Sequence, residues 1–197
     1  MDITVKEAIE KLSAGEVIAI PTDTVYGIAA PLSNPEAIEK IFAVKGRPDN
    51  NPLLTLVPGP QAIYPLVKKL PPAFERLVEE FWPGALTLVF DVDTEKVPDV
   101  VRRGLPTAGF RQPAHPMTQE ILESVGPIVA TSANISGKAP ATDAAGVEEN
   151  LGKDFPVVDG GASIDGLPST IIGCYDGKWK VLREGSVRQQ ELGRFLG

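Results

Sequence analysis

One cysteine, Cys174, among 197 residues excludes a disulfide framework and a cysteine zinc site within one chain, and fits a reducing, cytoplasmic setting. Long apolar runs are missing too: none approaches the roughly 20 residues of a membrane span. Met1-Asp2-Ile3-Thr4 carries neither a basic region nor a signal-type apolar stretch. Positive charge is in short supply, 19 Lys and Arg against 26 Asp and Glu, and the net charge of −7 argues against a surface devoted to nucleic acid. His115 is the only histidine, and no local support exists for a Ser-His-Asp triad built on it; a structural or capping role is expected. The chain has no G-x-x-x-x-G-K-[ST] loop and no G-x-G-x-x-G fingerprint, so a nucleotide would have to be held another way.

What is present is turn chemistry between periodic segments. The 19 glycines and 19 prolines follow no period, and they separate helix and strand signals instead of forming a low-complexity tract. Thr4 and Glu7 read as a capping box for a helix through Val5, Ala8, Ile9 and Leu12, closed by Gly15. A strand follows at 17–20, a helix opens at Asn34-Pro35, and 53–57 is a strand. An amphipathic helix spans 72–81, strands lie at 85–90 and 107–111, and a helix at 116–125 leads to a strand at 127–130. A helix near 143–151, short strands at 156–158, 170–172 and 179–182, and a closing helix capped by Ser186 and Gln189 complete the chain. The expectation is one α/β domain over 1–197: a twisted mixed sheet flanked by helices, with 43% hydrophobic residues to fill a single core.

Polar chemistry collects where strands end. Pro21-Thr22-Asp23-Thr24-Val25-Tyr26-Gly27 follows one apolar run, and Thr131-Ser132-Ala133-Asn134-Ile135-Ser136-Gly137 another. In open α/β sheets such strand ends form ligand sites. Asp23 and Thr24 taken alone read more readily as turn-formers, whereas Ser132, Asn134 and Ser136 are denser than a turn needs. Ser132 lacks the glycine flanks of a nucleophile elbow. Lys45-Gly46-Arg47 sits in a loop braced by Pro48 and Pro52; both cations can address one polyphosphate, or simply end a helix. Cations occur in islands, Lys40, Lys45 and Arg47, then Arg102, Arg103 and Arg111, while 143–165 is acidic. That distribution suits a phosphate or carboxylate in a cleft better than a basic face. Trp82-Pro83-Gly84 reads as a core-packing turn.

Seven segments in order resemble the YrdC/TsaC family of threonylcarbamoyl-AMP synthases: 21–27, K-G-R-P-x-x-N-P-L at 45–53, W-P-G-A-L-T-L-V at 82–89, G-L-P-T-A-G-F-R-Q-P-A-H-P at 104–116, 131–137, P-S-T at 168–170 and L-R-E-G at 182–185. The resemblance implies a sheet with a large concave cleft and an enzyme that converts L-threonine, bicarbonate and ATP into threonylcarbamoyl-AMP and pyrophosphate. That product would feed modification of the tRNA adenosine beside the anticodon through separate transfer proteins. By matching position, Thr24, Arg111, Ser132 and Ser169 would hold threonine, with Arg111 on its carboxylate. Lys45, Arg47, Asn51, Thr107, Asn134, Thr142 and Arg183 would hold ATP, with Lys45 and Arg47 in the catalytic role. Magnesium is expected with ATP, without an identified protein ligand, and no permanently bound cofactor is implied. Leu56 stands where many relatives have histidine, and Gly173 where aspartate is common. The chain stops at Gly197, so the extra C-terminal domain of longer relatives is not expected. The alternatives are a carbamoyl-transfer enzyme related to hydrogenase maturation and a non-catalytic RNA-binding module. Free tRNA is expected to bind weakly or indirectly.

Overall fold

The computed structural model describes residues 1–46 and 51–196. Helix α1 (Val5–Ser13) opens on the expected reciprocal cap: Glu7 N–H donates to Thr4 Oγ1 at 3.2 Å and Thr4 N–H to Glu7 Oε2 at 2.7 Å. The short strands β1 (Ile18–Ile20) and β2 (Gly27–Pro31) form a hairpin around the 21–26 loop. Helix α2 (Pro35–Lys45) is capped by the Asn34 carboxamide, which accepts from Ala37 N at 3.0 Å, and ends at Gly46 in the left-handed region, φ 74°. Then come β3 (Leu54–Leu56), α3 (Phe74–Phe81), β4 (Leu86–Asp91), α4 (Asp99–Arg102), β5 (Thr107–Arg111), α5 (Pro116–Val125) and β6 (Ile128–Ser132). The chain ends with α6 (Ala144–Leu151), β7 (Thr170–Tyr175), β8 (Lys178–Arg183) and α7 (Gln189–Leu192). No helix among the described residues is long and apolar enough to cross a membrane.

Among the described residues, eight strands join one sheet in the order β1-β2-β6-β3-β5-β4-β7-β8. The pairs β3–β5 and β4–β7 are parallel and the others antiparallel, so the sheet is mixed. One face carries the larger core, with Ile28, Val129, Phe110, Leu88 and Ile172 under α2, α3 and α4. On the other face α1 and α5 cover β1, β2 and β6 through Leu12, Ile18, Ile20, Ala29, Ile121 and Ile128. Over β3, β5, β7 and β8, together with the ends of β2 and β6, that second face is left as a cleft.

Besides the short helix α4, which the sequence reading did not place, three elements depart from it. Strand β2 was hidden because Gly-Ile-Ala-Ala-Pro is buried on both faces, so it shows no alternation and only one β-branched residue. Residues 156–158 form no strand; Val157 makes single bridges to Asp2 and Ala19. The closing helix stops at Leu192, and Ser186 does not cap it: its hydroxyl donates to Leu167 O at 3.3 Å, and Glu191 Oε1 accepts from Arg188 N at 2.7 Å.

Candidate active site

Strand pleating decides which residues face the cleft. Cross-strand partners share a face, so the register Leu56↔Arg111, Leu54↔Ala130, Gly27↔Ser132 and Ile171↔Arg183 puts all of these on one side. They line a cleft of about 280 Å³ together with Thr22, Thr24, Ser169 and the prolines 52, 140 and 168. That volume lies near the lower end of ligand pockets, roughly 300–1,000 Å³.

Arg111 is the most constrained group in it. It is 3% exposed, and its guanidinium makes three bonds: Nε to Gly84 O at 2.8 Å, Nη1 to Thr24 Oγ1 at 2.7 Å and Nη2 to Asp23 Oδ1 at 2.5 Å. Five N–H bonds radiate from a guanidinium, so two remain, one on each η nitrogen. Burial pushes the Arg111 guanidinium below its usual range, opposed by the charge and hydrogen bond of Asp23 and by the charge of Asp165. Asp23 is thus neither a turn-former nor a free carboxylate. Its Oδ1 also accepts from Ala114 N at 2.9 Å, and its carbonyl from Asp165 N at 3.0 Å. The Trp82-Pro83-Gly84 turn, read from sequence as packing alone, supplies the carbonyl that holds Nε.

Arg183 is the second cation of the cleft. Its Nη2 donates to Ser169 O at 2.8 Å and to Ser169 Oγ at 3.4 Å. Among the described residues no carboxylate pairs with it; burial lowers its pKa, and so does the like charge of Arg111. Arg111 is therefore offset by Asp23, and Arg183 carries the uncompensated charge. Ser169 Oγ lies 2.8 Å from Thr87 Oγ1, a buried contact that sequence reading did not find. Gly185 explains the end of L-R-E-G. A Cβ there would lie 2.1 Å from Pro168 O and 2.6 Å from the Ser169 carbonyl carbon. Gly185→Ala should therefore lower stability by about 1–3 kcal/mol, since backbone must move. It should also weaken any ligand held at Ser169 and Arg183; an unchanged melting temperature in a thermal scan would contradict this packing.

Lys45 ends α2 beneath the 131–137 loop, 4% exposed, and donates to Ser132 O at 2.9 Å and Asn134 O at 3.1 Å. Asn134 is itself buried: Nδ2 donates to Ile135 O and Lys138 O, and Oδ1 accepts from Ser132 Oγ at 2.5 Å. Thr107 shares the cleft face with Arg111, four residues back along β5, but is not in the lining; Thr142 is exposed and offers its carbonyl to Ser163 N at 2.7 Å. Asn51 is exposed beside the lining residue Pro52. Arg47 lies outside the described residues. The structure thus brings Thr24, Arg111, Ser132, Ser169 and Arg183 into one cleft, with Lys45 and Asn134 directly behind Ser132.

His115 precedes α5 without capping it; it is half-buried against Gly160, where a Cβ would come within 2.7 Å of His115 Cε1. Burial pushes its pKa down, opposed by the Gly160 backbone and the charge of Asp23. Leu56 packs at the cleft floor level with Arg111. Gly173 leaves room that the Tyr175 ring and Leu182 occupy: a Cβ there would lie 2.6 and 2.9 Å from them.

A family model described as "Sua5_yciO_yrdC: Telomere recombination" matches residues 10–185. The chain belongs to this family. It is 36% identical over 198 residues to the threonylcarbamoyl-AMP synthase of Bacillus subtilis, covering 100% of this chain and 57% of that protein. It is 38% identical over 206 residues to the threonylcarbamoyl-AMP synthase of Pyrococcus abyssi, covering 99% and 60%. The solved structure of P. abyssi Sua5 complexed with L-threonine superposes with a TM-score of 0.94 at 36% identity, covering 100% of this chain and 61% of that one. The chain therefore spans less than two thirds of each of these relatives. This Sua5/YciO/YrdC fold is the open mixed sheet with helices on both faces described above.

Proposed function

We propose that the chain is a nucleotidyltransferase that makes threonylcarbamoyl-AMP. The observation that carries this reading is the convergence of Thr24, Arg111, Ser132, Ser169 and Arg183 on one cleft in a member of this family. The names of the relatives above support it. In the proposed reaction the amine of L-threonine and bicarbonate give a carbamate and water; a carbamate oxygen then attacks the α-phosphorus of ATP and pyrophosphate leaves. Such chemistry needs positioning and charge neutralisation more than covalent help.

In this reading the two remaining N–H bonds of Arg111 grip the threonine carboxylate as a fork, the geometry at which arginine excels. Arg183 neutralises phosphate charge, and Lys45 fixes the 131–137 loop against which the nucleotide lies. Arg47, Asn51, Thr107 and Thr142 are assigned to ATP by position in the family pattern, and Asn134 acts from behind Ser132. Magnesium would arrive on the ATP phosphates: among the described residues no group of three or more His, Cys, Asp or Glu could hold a metal unaided.

The test is pyrophosphate release from ATP by the purified chain. Release that requires both L-threonine and bicarbonate is expected; dependence on carbamoyl phosphate would favour the carbamoyl-transfer alternative, and no turnover with tight RNA binding the RNA module. In this reading the product is a mixed anhydride, and its transfer to tRNA is assigned to separate proteins. With a net charge of −7 and its cations near the cleft, free tRNA should bind weakly at physiological salt. Submicromolar affinity in a fluorescence titration, or a strict tRNA requirement for pyrophosphate release, would overturn this.

A further inference from the structure

Thr87 carries a buried hydroxyl that the proposed reaction does not use. It lies on β4 beside β7, and the register Thr87↔Ile171 turns it to the cleft face. It stops short of the cleft surface: it is 1% exposed and is not among the lining residues. Packing sets its orientation. A Cβ at Gly109 would lie 3.4 Å from Thr87 Cγ2, so the Thr87 methyl rests over the Gly109 backbone on β5. A β-branched side chain with its methyl seated has little freedom about its first torsion. The hydroxyl then points at Ser169, whose Oγ lies 2.8 Å away.

The pair holds two protons, and the surroundings decide which one lies between the oxygens. Among the described residues Ser169 Oγ is the sole hydrogen-bond partner of Thr87 Oγ1, so a Thr87 proton turned elsewhere would be buried without an acceptor. Ser169 has an outlet, because it lines the cleft. Arg183 Nη2, which can only donate, approaches Ser169 Oγ at 3.4 Å and adds a second donor to the same oxygen. Thr87 thus donates, Ser169 accepts, and the Ser169 proton is left for a ligand. An O–H beside Arg183, in a cleft that also holds Arg111, matches an anionic oxygen, which only accepts. We propose that Thr87 is a positioning residue: it holds the Ser169 hydroxyl with its proton turned into the cleft, where it donates to an anionic oxygen of L-threonine. The inference rests on the synthase reading, in which Ser169 serves threonine. Thr87 touches no substrate and acts through Ser169.

The test is calorimetry on the full chain with L-threonine and, separately, with ATP. Thr87→Val keeps the methyl over Gly109 and removes the hydroxyl, so threonine affinity should fall about tenfold while ATP affinity stays within about twofold of wild type. Thr87→Ser keeps the hydroxyl and should return threonine affinity to within about threefold of wild type. In a Ser169→Ala background, adding Thr87→Val should change threonine affinity by less than about twofold, since the group it positions is gone. A merely structural role for Thr87 would weaken both ligands together and leave the two substitutions additive. Unchanged threonine affinity in Thr87→Val, an equal loss for ATP, no recovery in Thr87→Ser, or additivity with Ser169→Ala each overturns the proposal. If Thr87→Val does not fold, Thr87→Ala also lacks the hydroxyl and takes its place with the same expected pattern. Wild type that binds no L-threonine and releases no pyrophosphate would remove the synthase reading, and the proposal with it.

Discussion

Arg111→Ala is expected to abolish L-threonine binding and to destabilise the fold by about 3–5 kcal/mol, the usual result of removing one partner from a buried ion pair. The size follows from what is left behind. Asp23 would keep only the Ala114 N–H on a carboxylate that is 6% exposed, Gly84 O would lose its donor, and Thr24 Oγ1 would lose the Arg111 Nη1 donor. Arg111→Lys tells the two effects apart. A lysine keeps the charge beside Asp23 and so recovers part of the stability, but an ammonium cannot reach Gly84, Thr24 and Asp23 in one plane and still offer a fork to a carboxylate. Chemical denaturation should rank the proteins wild type, lysine, alanine, while calorimetry with threonine should show both substitutions badly impaired. Unchanged threonine affinity in Arg111→Ala would remove Arg111 from the binding site.

How much of this was legible beforehand depends on the range of the interaction. Local signals transferred well: the Thr4 cap, the Asn34-Pro35 helix start and the strand at 107–111 each depend on neighbours within a few residues. The strand β2 was not legible, because a central strand of small residues carries no period and exists only through its pairing with β1 and β6. The candidate site divided the same way. Motif resemblance assigned Thr24, Arg111, Ser132 and Ser169 to threonine and Arg183 to ATP, and all five line one cleft. It could not show that Asp23 spans 88 positions to offset Arg111, that Gly84 O orients the guanidinium, or that Thr87 meets the Ser169 hydroxyl from a neighbouring strand. Those contacts arise from sheet register and from turns folding back over its face. Turn-former was the economical reading of Asp23 in isolation; only the tertiary partner makes it an ion-pair residue.

Lys45→Ala should cost both activity and stability. From sequence, a lysine in a proline-braced loop at a helix end reads as a cation that serves ATP and whose loss leaves the melting temperature little changed. The structure instead buries Nζ among Ser132 O, Asn134 O and Asn134 Oδ1, and the Lys45 carbonyl accepts from Ser136 N at 3.3 Å, so helix end and loop are fastened twice. Removing the ammonium strips donors from buried carbonyls, at about 1–3 kcal/mol for each group left unsatisfied. Lys45→Met separates packing from charge, because it retains most of the aliphatic stem and none of the donors. Both variants should melt below wild type, methionine less so. Both should also lose catalytic efficiency with ATP by about 100-fold or more, equivalent to roughly 2.7 kcal/mol of transition-state stabilisation. The kinetic loss should be nearly the same in the two variants even though their stabilities differ, since each lacks the same positive charge behind Ser132 and the same grip on the loop. Pyrophosphate release measured at limiting ATP and at a temperature where both remain folded checks this. Near-normal turnover in Lys45→Met would exclude both the charge and the Nζ donors of Lys45 from the reaction and leave only its aliphatic stem a role.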